Sequence, residues 1–226
     1  MQRRLIFPFI VGLTGAAILF SLGTWQMDRK AWKDGVIADI TTMVAIAPVD
    51  LPITPTEAEH EYLSVQVTGE IGAGEIPVLA STKQVGAIYR IISPFRMDNG
   101  RMILVDQGYM LDELKDDPRP IGAATIVGNL LWPDEIDSFT PEPDLKANIW
   151  FARDIERMAE YLNTEPILVV ARETSLSDTP VTPLPVDISG IPNKHLEYAV
   201  TWYGLGIVWL MMSVYMARRK PRKDES

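Results

Sequence analysis

Two long apolar runs bracket the chain. Leu5 to Leu22 (LIFPFIVGLTGAAILFSL) is 18 residues without a charged side chain, and Tyr198 to Ala217 (YAVTWYGLGIVWLMMSVYMA) is 20. At a rise of about 1.5 Å per residue, either run crosses a hydrocarbon core of about 30 Å as a helix. Pro8 falls in the first turn, where its missing N–H costs little. Helical rhythm continues in "GTWQMDRKAWKDGVIADITTMVA" (23–45), with Trp25, Arg29 and Trp32 on one face and Lys33 beside them. Tryptophan beside Arg and Lys is the composition a membrane–water boundary selects, so Trp25, Gln26, Arg29 and Trp32 read as an interfacial anchor.

Between the runs the period changes. "YLSVQVTGE" (62–70) alternates, with Leu63, Val65 and Val67 between polar positions, as a half-buried strand does. "EIPVLAST", "GAIYRIISPF", "RMILVDQGYM", "ATIVGNLLW" and "EPILVVARE" are further short strands, and Asp98-Asn99-Gly100 predicts a hairpin. One amphipathic helix is expected over 152–163, with Ile155, Met158, Ala159 and Leu162 inward. Proline-rich segments at 47–62 and 177–192 read as loops. The predicted fold is two transmembrane α-helices flanking a mostly antiparallel β (α+β) extramembrane domain, barrel-like. Its segments are a tail and first span (1–25), the β-rich domain with one helix (26–195), the second span (196–217) and a basic tail (218–226).

Charge then sets orientation. Arg3 and Arg4 precede the first span, and Arg218, Arg219, Lys220, Arg222 and Lys223 follow the second. Cationic flanks stay in the cytoplasm or mitochondrial matrix, which places both termini inside. Residues 25–197 hold 14 Lys/Arg against 28 Asp/Glu, a net charge of −14, while the tails contribute +2 and +3. That acidity repels phosphates and excludes non-specific nucleic-acid binding. A cleaved secretory signal is the competing reading of the first run. The run is long and no A-x-A-like site follows it, so an uncleaved anchor is preferred. The expected location is the bacterial inner membrane, with the main domain periplasmic, since the chain starts at its first span without a presequence. A processed protein of the mitochondrial inner membrane is the alternative.

The chain has no cysteine and two histidines. It therefore lacks thiolates for a copper site, an iron–sulfur cluster or covalent haem attachment. No G-x-S-x-G, H-E-x-x-H, P-loop or dinucleotide glycine pattern occurs, so no catalytic set assembles. The acid pairs Asp116-Asp117 and Asp134-Glu135 sit beside prolines and read as solvated turns, and His60, among glutamates, as a surface residue. Met211-Met212 reads as lipid-facing packing. Gly12 and Ala16, and Gly204 with Thr201 and Gly206, offer small surfaces for helix contact. His195, Tyr198 and Trp202 fall on one helix face at the mouth of the second run. An imidazole at the rim above aromatic rings suits a flat apolar macrocycle whose metal takes one neutral nitrogen. It equally suits an amphipathic residue of the interfacial belt, and spacing alone favours the belt.

Several stretches together resemble the Surfeit-locus-one family of cytochrome oxidase assembly factors. These are "LGTWQMDRKAWK" (22–33), then Tyr62, Val65, Val67 and Gly69, Gly86, "SPF" (93–95), "ILVDQGYM", and above all "NKHLEYAVTWYGLG" (193–206). The chain departs from the family pattern at Asp106-Gln107-Gly108, at "PEPDLKANIW" and at "TPVTPLPVD", which puts loop-mediated contacts in doubt but not the topology. The resemblance implies a non-enzymatic assembly factor for an aa3-type haem–copper cytochrome c oxidase. It would bind haem a transiently, with His195 as axial ligand to the iron and Tyr198 and Trp202 against the ring. The oxidase catalytic subunit, the haem a synthesis enzyme and the lipid bilayer are the implied partners, and the oxidase's own bis-histidine site the destination. Under the resemblance, ligation becomes the preferred reading of His195. Two other functions compete: a membrane scaffold that stabilises the nascent catalytic subunit without haem, and a membrane-anchored enzyme, against which the missing motifs argue.

Overall fold

The computed structural model describes residues 3–82, 85–115, 117–177, 179–187 and 192–218, with side chains from residue 9 onward. Asp116, residues 219–226 of the basic tail and the side chains of Arg3 and Arg4 lie outside the described residues. The chain divides into two compact units, Met1–Asp39 with Ser189–Ser226, and Ile40–Ile188.

The first unit is built from α1 (Arg3–Ala45) and α4 (His195–Arg218). The 43 residues of α1 make a rod of about 65 Å, roughly twice a bilayer's hydrocarbon thickness, so its apolar half alone is enough to span. Both helices contain windows apolar and long enough to cross a membrane, and only 17% and 11% of those windows is buried. A core helix of a water-soluble domain would be mostly covered. This is a membrane protein.

The seam between the helices has a heptad-like period. On α1 the covered positions are Gly12, Ala16, Gly23 and Gln26, with Leu19 half-covered; on α4 they are Ala199 and Gly206, with Ser213 half-covered. Such spacing fits a shallow-angle, antiparallel pair. Glycines of α1 receive side chains of α4. A Cβ on Gly23 would lie 2.6 Å from the Tyr203 ring and one on Gly12 2.8 Å from Ser213, while Gly15 faces the Trp209 indole. Trp209 Nε1 donates to the Gly12 carbonyl at 3.0 Å, and Tyr203 Oη and Thr24 Oγ1 share a hydrogen bond of 3.2 Å. The small surface foreseen at Gly12 and Ala16 is thus a contact, and so is Gly206, which meets Phe20. Gly204 faces open space, and Thr201 is exposed.

The second unit is the β domain. Its strands are β1 (Val49–Asp50), β2 (Ser64–Ile71), β3 (Ile76–Thr82), β4 (Gly86–Met97), β5 (Met102–Leu111), β6 (Gly122–Leu131) and β7 (Leu168–Thr174), with short helices α2 (Glu57–His60) and α3 (Ile155–Leu162). Strands β2-β6-β7-β5-β4 pair in that order, and β4 returns to β2, closing a five-stranded barrel; β1 and β3 extend it at the sides. Pairing is antiparallel except β5–β7 and β1–β2.

Closure occurs where Gly69–Ile71 of β2 meets Phe95–Met97 of β4. A Cβ on Gly69 would collide with the Arg96 carbonyl, so only glycine lets the two backbones approach this closely. The alternation read in 62–70 is realised: Val65, Val67 and Ile71 point into the barrel with Phe95, Ile103, Val105, Ile126 and Leu130. Strands β5 and β7 are covered on both faces, because Leu104, Leu168 and Val170 also pack outward beneath Trp150, Ile155 and Met158 of the α3 layer. A parallel pair buried on both faces carries the continuous apolar runs seen in "ILV" and "ILVV".

The predicted hairpin forms, with Gly100 at φ +87 joining β4 to β5. The amphipathic helix forms as α3. Asp154 caps its N-terminus by accepting from the Arg157 amide at 3.1 Å, and Asn163 ends it in the left-handed conformation at φ +56. The last turn of α1 belongs to this unit. Arg172 Nη1 donates to the Val44 carbonyl at 2.8 Å, satisfying an orphan acceptor just before Pro48 stops the helix.

Candidate functional site

The segment of the helix pair where α4 begins gathers the residues singled out from sequence. Pro192 cannot extend a helix backwards, and α4 starts three residues later at His195. Three contacts tie this start to α1. Asn193 Nδ2 donates to Asp34 Oδ1 at 2.7 Å, Lys33 Nζ donates to the Pro192 carbonyl, and His195 Nδ1 lies 2.7 Å from Gln26 Oε1. A carbonyl oxygen only accepts, so Nδ1 carries the proton in that bond. Among the described residues, no hydrogen bond engages His195 Nε2.

Lys30 bridges to Asp34 at 2.5 Å one turn away on the same helix, which steadies the carboxylate that Asn193 uses. The Arg29 guanidinium stacks over the Trp32 ring at 4.0 Å. Trp25, Trp32 and Tyr198 are each more than half exposed, whereas Trp202 is half-buried and Gln26 is covered in the seam. His195 is partly exposed. The structure thus joins His195 to Gln26 across 169 positions of sequence, and sets Tyr198 and Trp202 one and two turns along from the imidazole. Gln26, expected at the membrane boundary, occupies a seam position. Asp34, Thr24 and Tyr203 are contacts that sequence reading missed. The Lys30/Asp34 spacing is the one local signal for them.

Among the described residues, no group of three or more His, Cys, Asp or Glu could hold a metal ion. The donor available at the helix pair is a single imidazole nitrogen with its lone pair free, beside an open aromatic surface. A neutral imidazole nitrogen of this kind could serve as a ligand to the iron of a porphyrin. A cleft of about 480 Å³, lined by Phe9, Gly12, Leu13, Leu210, Val214 and Arg218, lies at the other end of the pair and does not include His195.

The β domain holds a second polar centre. The Asp106 side chain is fully buried; it accepts from Arg90 at 2.7 Å, from Arg153 at 3.3 Å and from the Gly108 amide at 3.1 Å. Arg153 also binds Glu135 through its backbone amide and guanidinium. Glu135 lies in an exposed loop, as read from sequence, and there it is also paired with an arginine. Burial works to raise its carboxyl, but the Arg153 hydrogen bonds and charge prevail and hold it below the ordinary value. Arg90 reaches on to the Leu184 carbonyl at 3.1 Å. Gly108, at φ +120, lies against the Thr182 carbonyl, where a side chain would collide. The departure Asp106-Gln107-Gly108 is thus strand interior, holding the exit segment through ion pairs and a close backbone approach. Of the other residues weighed, Asp117 is exposed, and His60 ends α2 with Nδ1 accepting from the Thr56 amide at 3.1 Å.

Two long apolar helices and a closed five-stranded barrel define a membrane-anchored β-barrel protein. A sequence profile described as the SURF1 family matches residues 13–207. Surfeit locus protein 1 of Takifugu rubripes is 32% identical over 221 residues, covering 84% of this chain and 88% of its own length. The Homo sapiens protein of the same name is 32% identical over 218 residues, covering 82% and 69%. A SURF1-like protein of Monosiga brevicollis is 28% identical, covering 92% and 86%. The chain belongs to the SURF1 family.

Proposed function

We propose that this protein is an assembly factor for an aa3-type cytochrome c oxidase, holding haem a through His195 until the catalytic subunit takes it. Family membership supports the assembly role. The observation that carries the haem reading is His195 itself: a partly exposed imidazole with Nδ1 occupied by Gln26 and Nε2 uncommitted, beside the exposed ring of Tyr198. When bound, haem would supply an iron centre that takes a neutral nitrogen ligand.

His195 Nε2 would hold the iron, and Tyr198 and Trp202 would provide apolar contact. A single imidazole ligand would hold the cargo without trapping it, so that a site offering two histidines could take it over. No covalent bond is made or broken, and the protein acts by binding rather than as an enzyme. Its setting in this reading is the bacterial inner membrane, with the β domain on the outer side and the basic tail within; the haem a synthesis enzyme is the donor.

The test is haem a content of protein purified from cells that make haem a. Wild type and His60→Ala carry it, and His195→Ala does not. Wild type emerging without haem overturns the reading in favour of a scaffold that acts on the catalytic subunit alone.

A further inference from the structure

The two histidines are held in opposite ways. At His60 a backbone N–H, from Thr56, points at Nδ1 across 3.1 Å. An amide only donates, so that nitrogen is the acceptor and the neutral ring carries its proton on Nε2. At His195 the group facing Nδ1 is the side-chain oxygen of Gln26, across 2.7 Å. An oxygen only accepts, so here the proton is on Nδ1 and the lone pair is on Nε2. Only the second arrangement presents Nε2 to a metal.

Gln26 is an unusual choice for its position. The neighbouring covered sites on α1, at Gly12, Ala16 and Gly23, are small residues without a side-chain polar group, and Gln26 itself is 9% exposed. A polar group in such a seam needs a partner, and the partner it takes is the ring at the start of α4. The Asn193–Asp34 and Lys33–Pro192 contacts secure the chain just before that ring and α4 continues after it, which leaves its rotation and tautomer to Gln26.

We propose that Gln26 is a positioning residue: its side-chain oxygen keeps the His195 proton on Nδ1 and so presents Nε2 as a ready lone pair. The idea rests on the haem-holding reading for its purpose, but the tautomer is measurable without haem. Metal-bound histidines are commonly oriented in this way by an acceptor on the other ring nitrogen.

The experiment uses the full chain in nanodiscs with 15N-labelled histidine. Two rings give two sets of nitrogen signals, assigned with His60→Asn. The expected result without haem is a protonated Nδ1 and bare Nε2 for His195, and the reverse for His60. Gln26→Leu shifts His195 towards the Nε2-protonated form and weakens haem a binding roughly 10- to 100-fold, whereas Gln26→Glu, which keeps an acceptor oxygen, preserves the tautomer.

A His195 ring protonated on Nε2 in the wild-type apo protein overturns the proposal. So does a Gln26→Leu variant whose melting temperature moves while its ring nitrogen signals stay put, because Gln26 then only sets helix register. Absence of haem binding in the wild type defeats the haem reading alone, since the apo nitrogen signals still report on Gln26.

Discussion

Asp106 and Arg90 meet at 2.7 Å with the aspartate side chain wholly out of contact with solvent. Arg153 approaches the same oxygen, so one buried carboxylate answers two guanidiniums, and Glu135 balances the second. Removing the carboxylate strands two guanidiniums that solvent barely reaches. Asp106→Ala is therefore expected to cost about 3–5 kcal/mol, the scale for breaking a buried ion pair from one side. For a unit of this size that lowers its melting midpoint by roughly 6–20 °C, read by circular dichroism. A loss under about 1 kcal/mol contradicts the arrangement.

Acid should loosen the same cluster. The Glu135 carboxyl titrates below its ordinary value of 4.5 in the folded protein, because Arg153 outweighs the opposing effect of burial. A lowered folded value means the stabilisation is fully present above 4.5 and is lost as pH falls through the folded value. The stability gap between wild type and Glu135→Gln, followed by urea unfolding, is expected to be widest near neutrality and to shrink below 4.5. A gap that is flat from neutral pH through acid shows that the ion pair contributes nothing.

The helix pair makes a separate prediction. Tyr203 fills the space that Gly23 leaves, 2.6 Å from where a Cβ would stand, while Gly204 meets nothing within 4 Å. Gly23→Leu should force the helices apart at a cost of about 1–3 kcal/mol, and Gly204→Leu should be silent. The chain has no cysteine, so spin labels placed at the exposed Val11 and Met212 report the separation directly. Equal distance distributions in the two variants refute the seam.

Local features were legible along the chain and distant ones were not. The alternation of Val65 and Val67, the Asn99-Gly100 turn and the apolar face of α3 all lie within a few residues, where period and turn chemistry decide. The return of β4 to β2 pairs Gly69 with Met97, and the parallel pair joins Leu104 to Leu168. No local period encodes such registers. At the candidate site His195 stood out as an imidazole at the edge of an apolar run. Its dependence on Gln26 did not, because the neighbouring Trp25 made the segment look like a simple boundary anchor. The seven-residue rhythm of the covered positions is the signal that separates Gln26 from Trp25. Glu135 was legible as an exposed loop acid beside Pro133, but its ion pair was not, because the arginine that holds it is 18 positions away.

The ring of strands has a consequence for how other proteins meet it. With β2 closing on β4, five of the seven strands surrender their lateral amides and carbonyls to neighbours, and on β3 the Leu79 amide already donates to the Trp150 carbonyl. Among the described residues, the lateral backbone left to a visiting chain lies chiefly along β1 and β3, which narrows the route to fibrils and to strand donation. Away from those two strands, whatever docks is recognised by side chains, and a change of partner can be achieved there by resurfacing.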